Sequence, residues 1–205
     1  MGSNSVDVKV VLLGATGVGK SCLGVRFVED HFDMASTSTV GAHFISKIVS
    51  VDDVSVRLNI WDTSGQERYR SLIKGFYRNS AVAILVIDVT SVDSFEALRY
   101  WVDELRQNTE RMPILAIACN KVDLVGGGRA VAMQPVLDYA ETIGVRIVMD
   151  TSAKDGTNVT ALFRNAAQLV LNPASTPRAH TLSAQTDAVT LGDEAHKMKA
   201  RSGCC

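Results

Sequence analysis

The run Gly14-Ala15-Thr16-Gly17-Val18-Gly19-Lys20-Ser21 constrains this chain more than any other stretch. An apolar-rich segment, Val6 to Leu13, leads into it and an amphipathic one, Cys22 to Glu29, leads out. The sequence therefore predicts a strand, a glycine-rich turn and a helix start in immediate succession. Glycines at these positions let the backbone bend tightly and turn successive N–H groups inward, which makes a nest for phosphate oxygens. The helix N-terminus adds partial positive charge at the same place. The expected cradle comprises Thr16, Gly17, Val18, Gly19, Lys20, Ser21 and Cys22. Lys20 can reach the β- and γ-phosphates, and the Ser21 hydroxyl can ligate Mg²⁺. This loop specifies a nucleoside phosphate without specifying the base.

The 205 residues suit one domain with a tail, and 46% hydrophobic residues suffice for a buried core. A net charge of −1 and the absence of a Lys/Arg run argue against a nucleic-acid partner. No apolar run approaches the ~20 residues of a membrane-spanning helix, and no basic-then-apolar leader is present. The start Met1-Gly2-Ser3-Asn4-Ser5-Val6 comes close to a myristoylation signal but carries Val6 where Ser or Thr is wanted. Cys22 and Cys119 read as plain buried thiols, whereas Cys204 and Cys205 are the last two residues.

Val6 to Leu13 is apolar on both faces, the pattern of a central parallel strand. His31 to Val40 is polar and irregular, long enough to suggest a functional loop. His43 to Val51 and Val54 to Trp61 flank Asp52-Asp53 as a hairpin. Val82 to Asp88, Ile114 to Cys119 and Val145 to Asp150 are further strands. Between them lie helical patterns, one opening on Asp93 with Glu96 as a capping-box-like start. Trp101 is expected to cover the edge of that helix's apolar stripe. A second runs from Pro135 to Ile143, and Gly126-Gly127-Gly128 reads as a flexible loop. Val159, Leu162, Phe163, Ala166, Leu169 and Val170 mark the last and clearest amphipathic helix. The expected organisation is a flexible N-terminus over 1–5, a nucleotide-binding domain over 6–171 and a flexible tail over 172–205. The expected fold is three-layer α/β: a six-stranded, mostly parallel sheet with one antiparallel edge strand and helices on both faces. Each polar motif falls at the C-terminal end of a strand, where open α/β sheets bind ligands.

Asn120-Lys121-Val122-Asp123 selects the base. A carboxylate there can accept from the N1–H and exocyclic amino group of guanine, a pair that adenine does not offer. A site built on such buried bonds rejects the analogue lacking them by orders of magnitude. Asn120 can tie this loop back to the phosphate loop, and the Lys121 stem can cover the purine face. Ser152-Ala153-Lys154 follows after the last strand.

With these motifs in order, residues 6 to 171 resemble a small GTPase of the Ras superfamily, and specifically the Rab family. Val40-Gly41-Ala42-His43-Phe44, Trp61-Asp62-Thr63-Ser64-Gly65-Gln66-Glu67-Arg68-Tyr69 and Tyr77-Arg78 resemble Rab switch segments. Arg26 to Phe32 and Trp101 to Gln107 are most similar to the early-endosomal branch. The resemblance implies that GTP or GDP binds with Mg²⁺, and that Ser21 and Thr39 ligate the metal while Asp62 holds it through water. It implies that Gly65 contacts the γ-phosphate and Gln66 orients the attacking water, with Lys20 on the phosphates. Phe32 would lie edge-on to guanine, and the Ala153 N–H would meet its O6. Phe44, Trp61 and Phe76 resemble the aromatic triad shown to effectors; the alternative for Phe44 and Trp61 is a core role.

The same resemblance implies slow hydrolysis until a partner supplies an arginine, and partners that include an exchange factor, a GAP, a GDI and effectors. It implies a monomer on the cytoplasmic face of intracellular membranes, early endosomes in particular, with a cytosolic pool. Cys204 and Cys205 would carry two geranylgeranyl chains, since two lipids anchor stably where one is marginal. Three positions depart from the pattern: Thr16 in the phosphate loop, Ser64 where alanine is usual, and Phe76 where many relatives have tyrosine. Thr16 and Ser64 keep open a non-hydrolysing scaffold as the alternative. A nucleotide kinase lacks support, because no arginine-rich lid segment is visible.

Overall fold

Val6–Leu13 forms β1, and its alternate side chains enter two separate cores. Val10 and Leu12 point to one face of the sheet, Val11 and Leu13 to the other, as the two-residue period of a strand requires. The computed structural model describes residues 5–33 and 38–174. Its elements follow as α1 Lys20–Glu29, β2 Ala42–Val51, β3 Val54–Thr63, α2 Arg70–Tyr77, β4 Val82–Asp88, α3 Val92–Asn108, β5 Ile114–Asn120, α4 Met133–Thr142, β6 Ile147–Asp150 and α5 Val159–Leu171. The sheet order is β2-β3-β1-β4-β5-β6, with β2–β3 antiparallel and every other pair parallel. This is the α/β architecture expected from the sequence.

Helices α1 and α5 cover one face. Leu23 and Phe27 meet Leu162, Phe163 and Leu169 there, and the Phe27 and Phe163 rings stack with centroids 4.1 Å apart. Helices α2, α3 and α4 cover the other with Ile73, Tyr77, Leu98, Trp101, Val102 and Val136. Every residue of β4 is buried, which explains its unbroken apolar sequence. The β2–β3 hairpin turns through Asp52 and Asp53 with φ of 46° and 63°. Val51 pairs with Val54 across that two-residue loop, so aspartates fill the left-handed positions that glycine usually takes.

Several local features differ from what the sequence pattern predicts. The α3 cap is Ser91, whose hydroxyl accepts from the Ser94 N–H at 3.4 Å, so Asp93 lies inside the first turn. Trp101 is buried in the second core. Cys119 is buried but Cys22 only partly so. Part of the glycine run forms a 3-10 turn over Val122–Gly127. The Val145 N–H bonds back to the Ala140 carbonyl at 2.9 Å, which closes α4 and delays β6 to Ile147.

β1 lies between β3 and β4, and the chain builds the sheet first on the β3 side and then on the β4 side, so a crevice opens at the C-terminal ends of these strands. Gly14, Asp62, Asp88 and Asn120 all stand along it. Truncating Phe163→Ala should cost about 3–5 kcal/mol, because the ring is fully buried and stacked. Urea unfolding of the variant beside the parent chain measures this.

Candidate functional site

The phosphate loop is fastened at two points. Lys20, the first residue of α1, is 5% exposed and donates from Nζ to the Gly14 and Ala15 carbonyls at 2.9 and 2.8 Å. Burial pushes its ammonium down to about 8, against the pull of the Asp62 charge. From the end of β5, two strands from β1, Asn120 Nδ2 donates to the Val18 carbonyl at 2.8 Å. Gly19, at φ 94°, caps α1, and a Cβ there would run into that amide nitrogen. The site thus holds a cation at the start of a helix, inside a loop whose backbone cannot tolerate a side chain at Gly19.

Beside the loop, three oxygen-bearing side chains from three segments converge. Ser21 Oγ lies 2.7 Å from Thr39 Oγ1 and donates to Asp62 Oδ2 at 2.5 Å, and Thr39 Oγ1 reaches the same oxygen at 3.4 Å. Asp62 Oδ1 is buried and has no hydrogen-bond partner among the described residues. Burial pushes this carboxyl up, opposed by the hydrogen bond from Ser21 and the charge of Lys20. An orphaned, desolvated carboxylate oxygen beside two hydroxyls is a hard-oxygen donor set, and it fits Mg²⁺, which takes few protein ligands and keeps several waters. Among the described residues no group of three or more His, Cys, Asp or Glu side chains is placed to hold a metal ion.

The segment after β3 comes directly onto the phosphate loop. A Cβ on Gly65 would collide with the Ala15–Thr16 backbone, so only glycine permits this approach. The Ser64 N–H donates to the Gly41 carbonyl at 2.8 Å and thereby joins the two segments that flank the β2–β3 hairpin. The Ser64 hydroxyl accepts from the Gln66 N–H at 3.3 Å, so it serves its own segment. Gln66 lines the cavity, and its Oε1 accepts from Arg68 Nε at 2.6 Å.

At the other end, Asn120 Oδ1 accepts from the Ala153 N–H at 3.2 Å and from Thr151 Oγ1 at 3.4 Å. The Ser152 hydroxyl donates to Asp123 Oδ1 at 2.7 Å, and Lys154 Nζ stands 4.0 Å from Asp123 Oδ2. Lys121, at φ 69°, directs Nζ to Asp88 Oδ2 at 2.7 Å. Burial of Asp88 is outweighed by hydrogen bonds from Lys121 and Thr90, which hold its carboxyl below the usual range.

One cavity of about 410 Å³ joins these ends. Thr16, Gly17, Gly19, Lys20, Ser21, Cys22, Phe32, Thr39, Gly65, Gln66, Asn120, Lys121, Asp123, Ala153 and Lys154 all line it. Val18 and Ser152 do not; both are buried, Val18 offering its carbonyl to Asn120 and Ser152 its hydroxyl to Asp123. Asp33, Ser38, Thr63, Ser64 and Leu124 line the cavity in addition to the binding residues expected from the sequence. Thr63 sends its hydroxyl to the Leu12 carbonyl at 2.6 Å, a partner far away in sequence. Leu124 directly follows Asp123, and that adjacency was the only signal for it.

Outside the cavity, Phe44, Trp61 and Phe76 form a continuous aromatic row, with centroid distances of 5.2 and 5.0 Å. Phe44 is 48% exposed and Trp61 partly buried, so the core reading of Phe44 does not hold. Cys204 and Cys205 lie outside the described residues. No helix among the described residues is long and apolar enough to cross a membrane.

A family model of Ras matches residues 9–172. The Ras-related protein Rab-31 of Mus musculus is 40% identical over 199 residues, covering 97% of both chains. The Ras-related protein RABF2b of Arabidopsis thaliana is 41% identical over 204 residues, covering 100% of this chain and 98% of its own. The Ras-related protein Rab-22A of Mus musculus is 44% identical over 173 residues, covering 82% of this chain and 88% of its own.

Asn120→Ala would leave the Val18 carbonyl and the Ala153 N–H without their buried partner. A loss of about 1–3 kcal/mol in folding stability is expected, measured by denaturant midpoint.

Proposed function

The chain belongs to the Ras family, within its Rab branch, and we propose that it is a membrane-tethered switch of vesicle traffic. It is a GTPase. The observation that carries the nucleotide assignment is the Asn120 amide, which bonds the Val18 carbonyl of the phosphate loop and the Ala153 N–H of the base loop. One side chain thus fixes the phosphate end and the base end of a single cavity relative to each other. Residues 6–171 form the GTP-binding domain in this reading, and 172–205 the tether.

Guanine sits between Phe32 and the Asn120, Lys121 and Asp123 loop. The Asp123 carboxylate, already oriented by Ser152, accepts from the base, and the Ala153 N–H turns to its O6. Lys20 exchanges its carbonyl partners for phosphate oxygens. Ser21, Thr39 and Asp62 would hold Mg²⁺, which supplies neutralisation of phosphate charge when bound.

In hydrolysis a water oxygen bonds to the γ-phosphorus as the bond to the GDP oxygen breaks. The water's protons pass to the phosphate products. Gln66 Oε1 orients that water as an acceptor, and the Gly65 N–H receives the γ-phosphate. Its Oε1 already accepts from Arg68 Nε, so the water either shares that oxygen or displaces the guanidinium, which suits a slow intrinsic rate. The γ-phosphate orders the segments around Thr39 and Gly65, and its loss releases them. An exchange factor, a GAP, a GDI and effectors act on this cycle, effectors meeting Phe44, Trp61 and Phe76. The relatives support an early-endosomal membrane, with geranylgeranyl groups on Cys204 and Cys205.

Gln66→Leu should slow single-turnover GTP hydrolysis by roughly tenfold or more, and an unchanged rate would remove Gln66 from the mechanism. Replacing Cys204 and Cys205 with serine should abolish co-sedimentation with cell membranes while GTP is still bound. Retention of that variant on membranes would refute the lipid anchor.

A further inference from the structure

Arg26 belongs to none of the nucleotide motifs, yet its guanidinium reaches two walls of the cavity's base end. It projects from the last turn of α1, and its side chain is only 16% exposed. Nε donates to the Ala153 carbonyl at 2.8 Å and Nη2 to the Lys154 carbonyl at 2.7 Å. Nη1 donates to the Asp30 carbonyl at 2.8 Å and to Asp30 Oδ1 at 3.2 Å. Two residues beyond Asp30 comes Phe32, which lines the cavity, as do Ala153 and Lys154 opposite. The Asp30 carboxylate is 90% exposed, so the ion pair adds little, and the directed bonds to three carbonyls carry the contact.

Those bonds complement what Asn120 does from the other side. Asn120 holds the N–H of Ala153, and Arg26 holds its carbonyl, so both peptide units flanking Ala153 are pinned. Asp30 takes up φ 53° at the end of α1, with its N–H bonded to the Arg26 carbonyl. That conformation is uncommon for a residue with a side chain. A planar, five-donor fork can satisfy carbonyls in three directions at once; a lysine ammonium on a flexible stem does not reproduce that geometry.

We propose that Arg26 is a positioning residue for guanine recognition: it spaces the Phe32 wall from the Ala153–Lys154 wall, holds the Ala153 peptide so that its N–H passes from Asn120 Oδ1 to the base O6 when guanine enters, and slows nucleotide release. This rests on the reading that this end of the cavity takes guanine. The contacts are made outside the cavity, so Arg26 acts through the loop and not on the nucleotide.

The test uses the full chain loaded with nucleotide, as wild type, Arg26→Lys and Arg26→Gln, both of which retain an aliphatic stem. Dissociation rates are measured for GDP, for 6-thio-GDP, which replaces only O6 with a weakly accepting sulfur, and for ADP. Circular dichroism of the loaded proteins selects the folded variants. Release of GDP should accelerate by about tenfold in Arg26→Lys, the scale of lost charge-assisted bonds. The wild-type preference for GDP over 6-thio-GDP should shrink at the same time, because a misaimed N–H no longer distinguishes oxygen from sulfur. Equal acceleration for both nucleotides, with the preference intact, would show general structural support and overturn the proposal, as would unchanged release. A wild type that does not prefer GDP over 6-thio-GDP also overturns it. A wild type that holds ADP as tightly as GDP removes the guanine reading itself, a result distinct from the other failures.

Discussion

The Asn120 carboxamide has to face two loops at once. Its nitrogen meets the Val18 carbonyl and its oxygen meets the Ala153 N–H, both inside a protein interior where an unmet amide is costly. This demand reaches into the rest of the structure. The residue must end β5, between β4 and β6, so that one loop lies on each side. Gly19 must lack a Cβ, since the amide nitrogen takes that space. The parallel order of β1, β4, β5 and β6 then brings all the loops to a common edge. Sheet topology, one glycine and one amide are therefore parts of a single constraint.

A second group of residues accepts unfavourable electrostatics in the resting chain. Lys20 is desolvated until its ammonium is pushed down to about 8, and the Asp62 carboxyl is pushed up by burial. Both shifts reflect charges kept away from water and ready for a partner of opposite sign. A core made only for stability would replace this pair with apolar side chains.

Much of this was legible in the sequence because the signals are local. The two-sided apolar run of β4, the glycine spacing before Lys20 and the Asn120 motif each sit in a few consecutive residues. What escaped depends on distant partners. Arg26 finds Ala153 and Lys154, and Thr63 finds the Leu12 carbonyl; nothing beside these residues in the chain announces those bonds. The α3 cap is ambiguous in the sequence for the opposite reason, since Ser91 and Asp93 are both good capping residues and only the backbone chooses between them. Val145 looked like strand by composition, but its N–H was taken by the end of α4.

The bond from the Ser64 N–H to the Gly41 carbonyl has a mechanical consequence. Ala42 pairs with Thr63, so this bond lies just past the last rung of the β2–β3 ladder. The segments leading to Thr39 and away from Gly65 are the two loose ends of one zipper. Neither can peel back without straining the rung they share. Phe44 and Trp61 face each other across the same ladder, two residues from its end. A protein that grips that pair feels whether the zipper is closed, and it reads both ends as one signal.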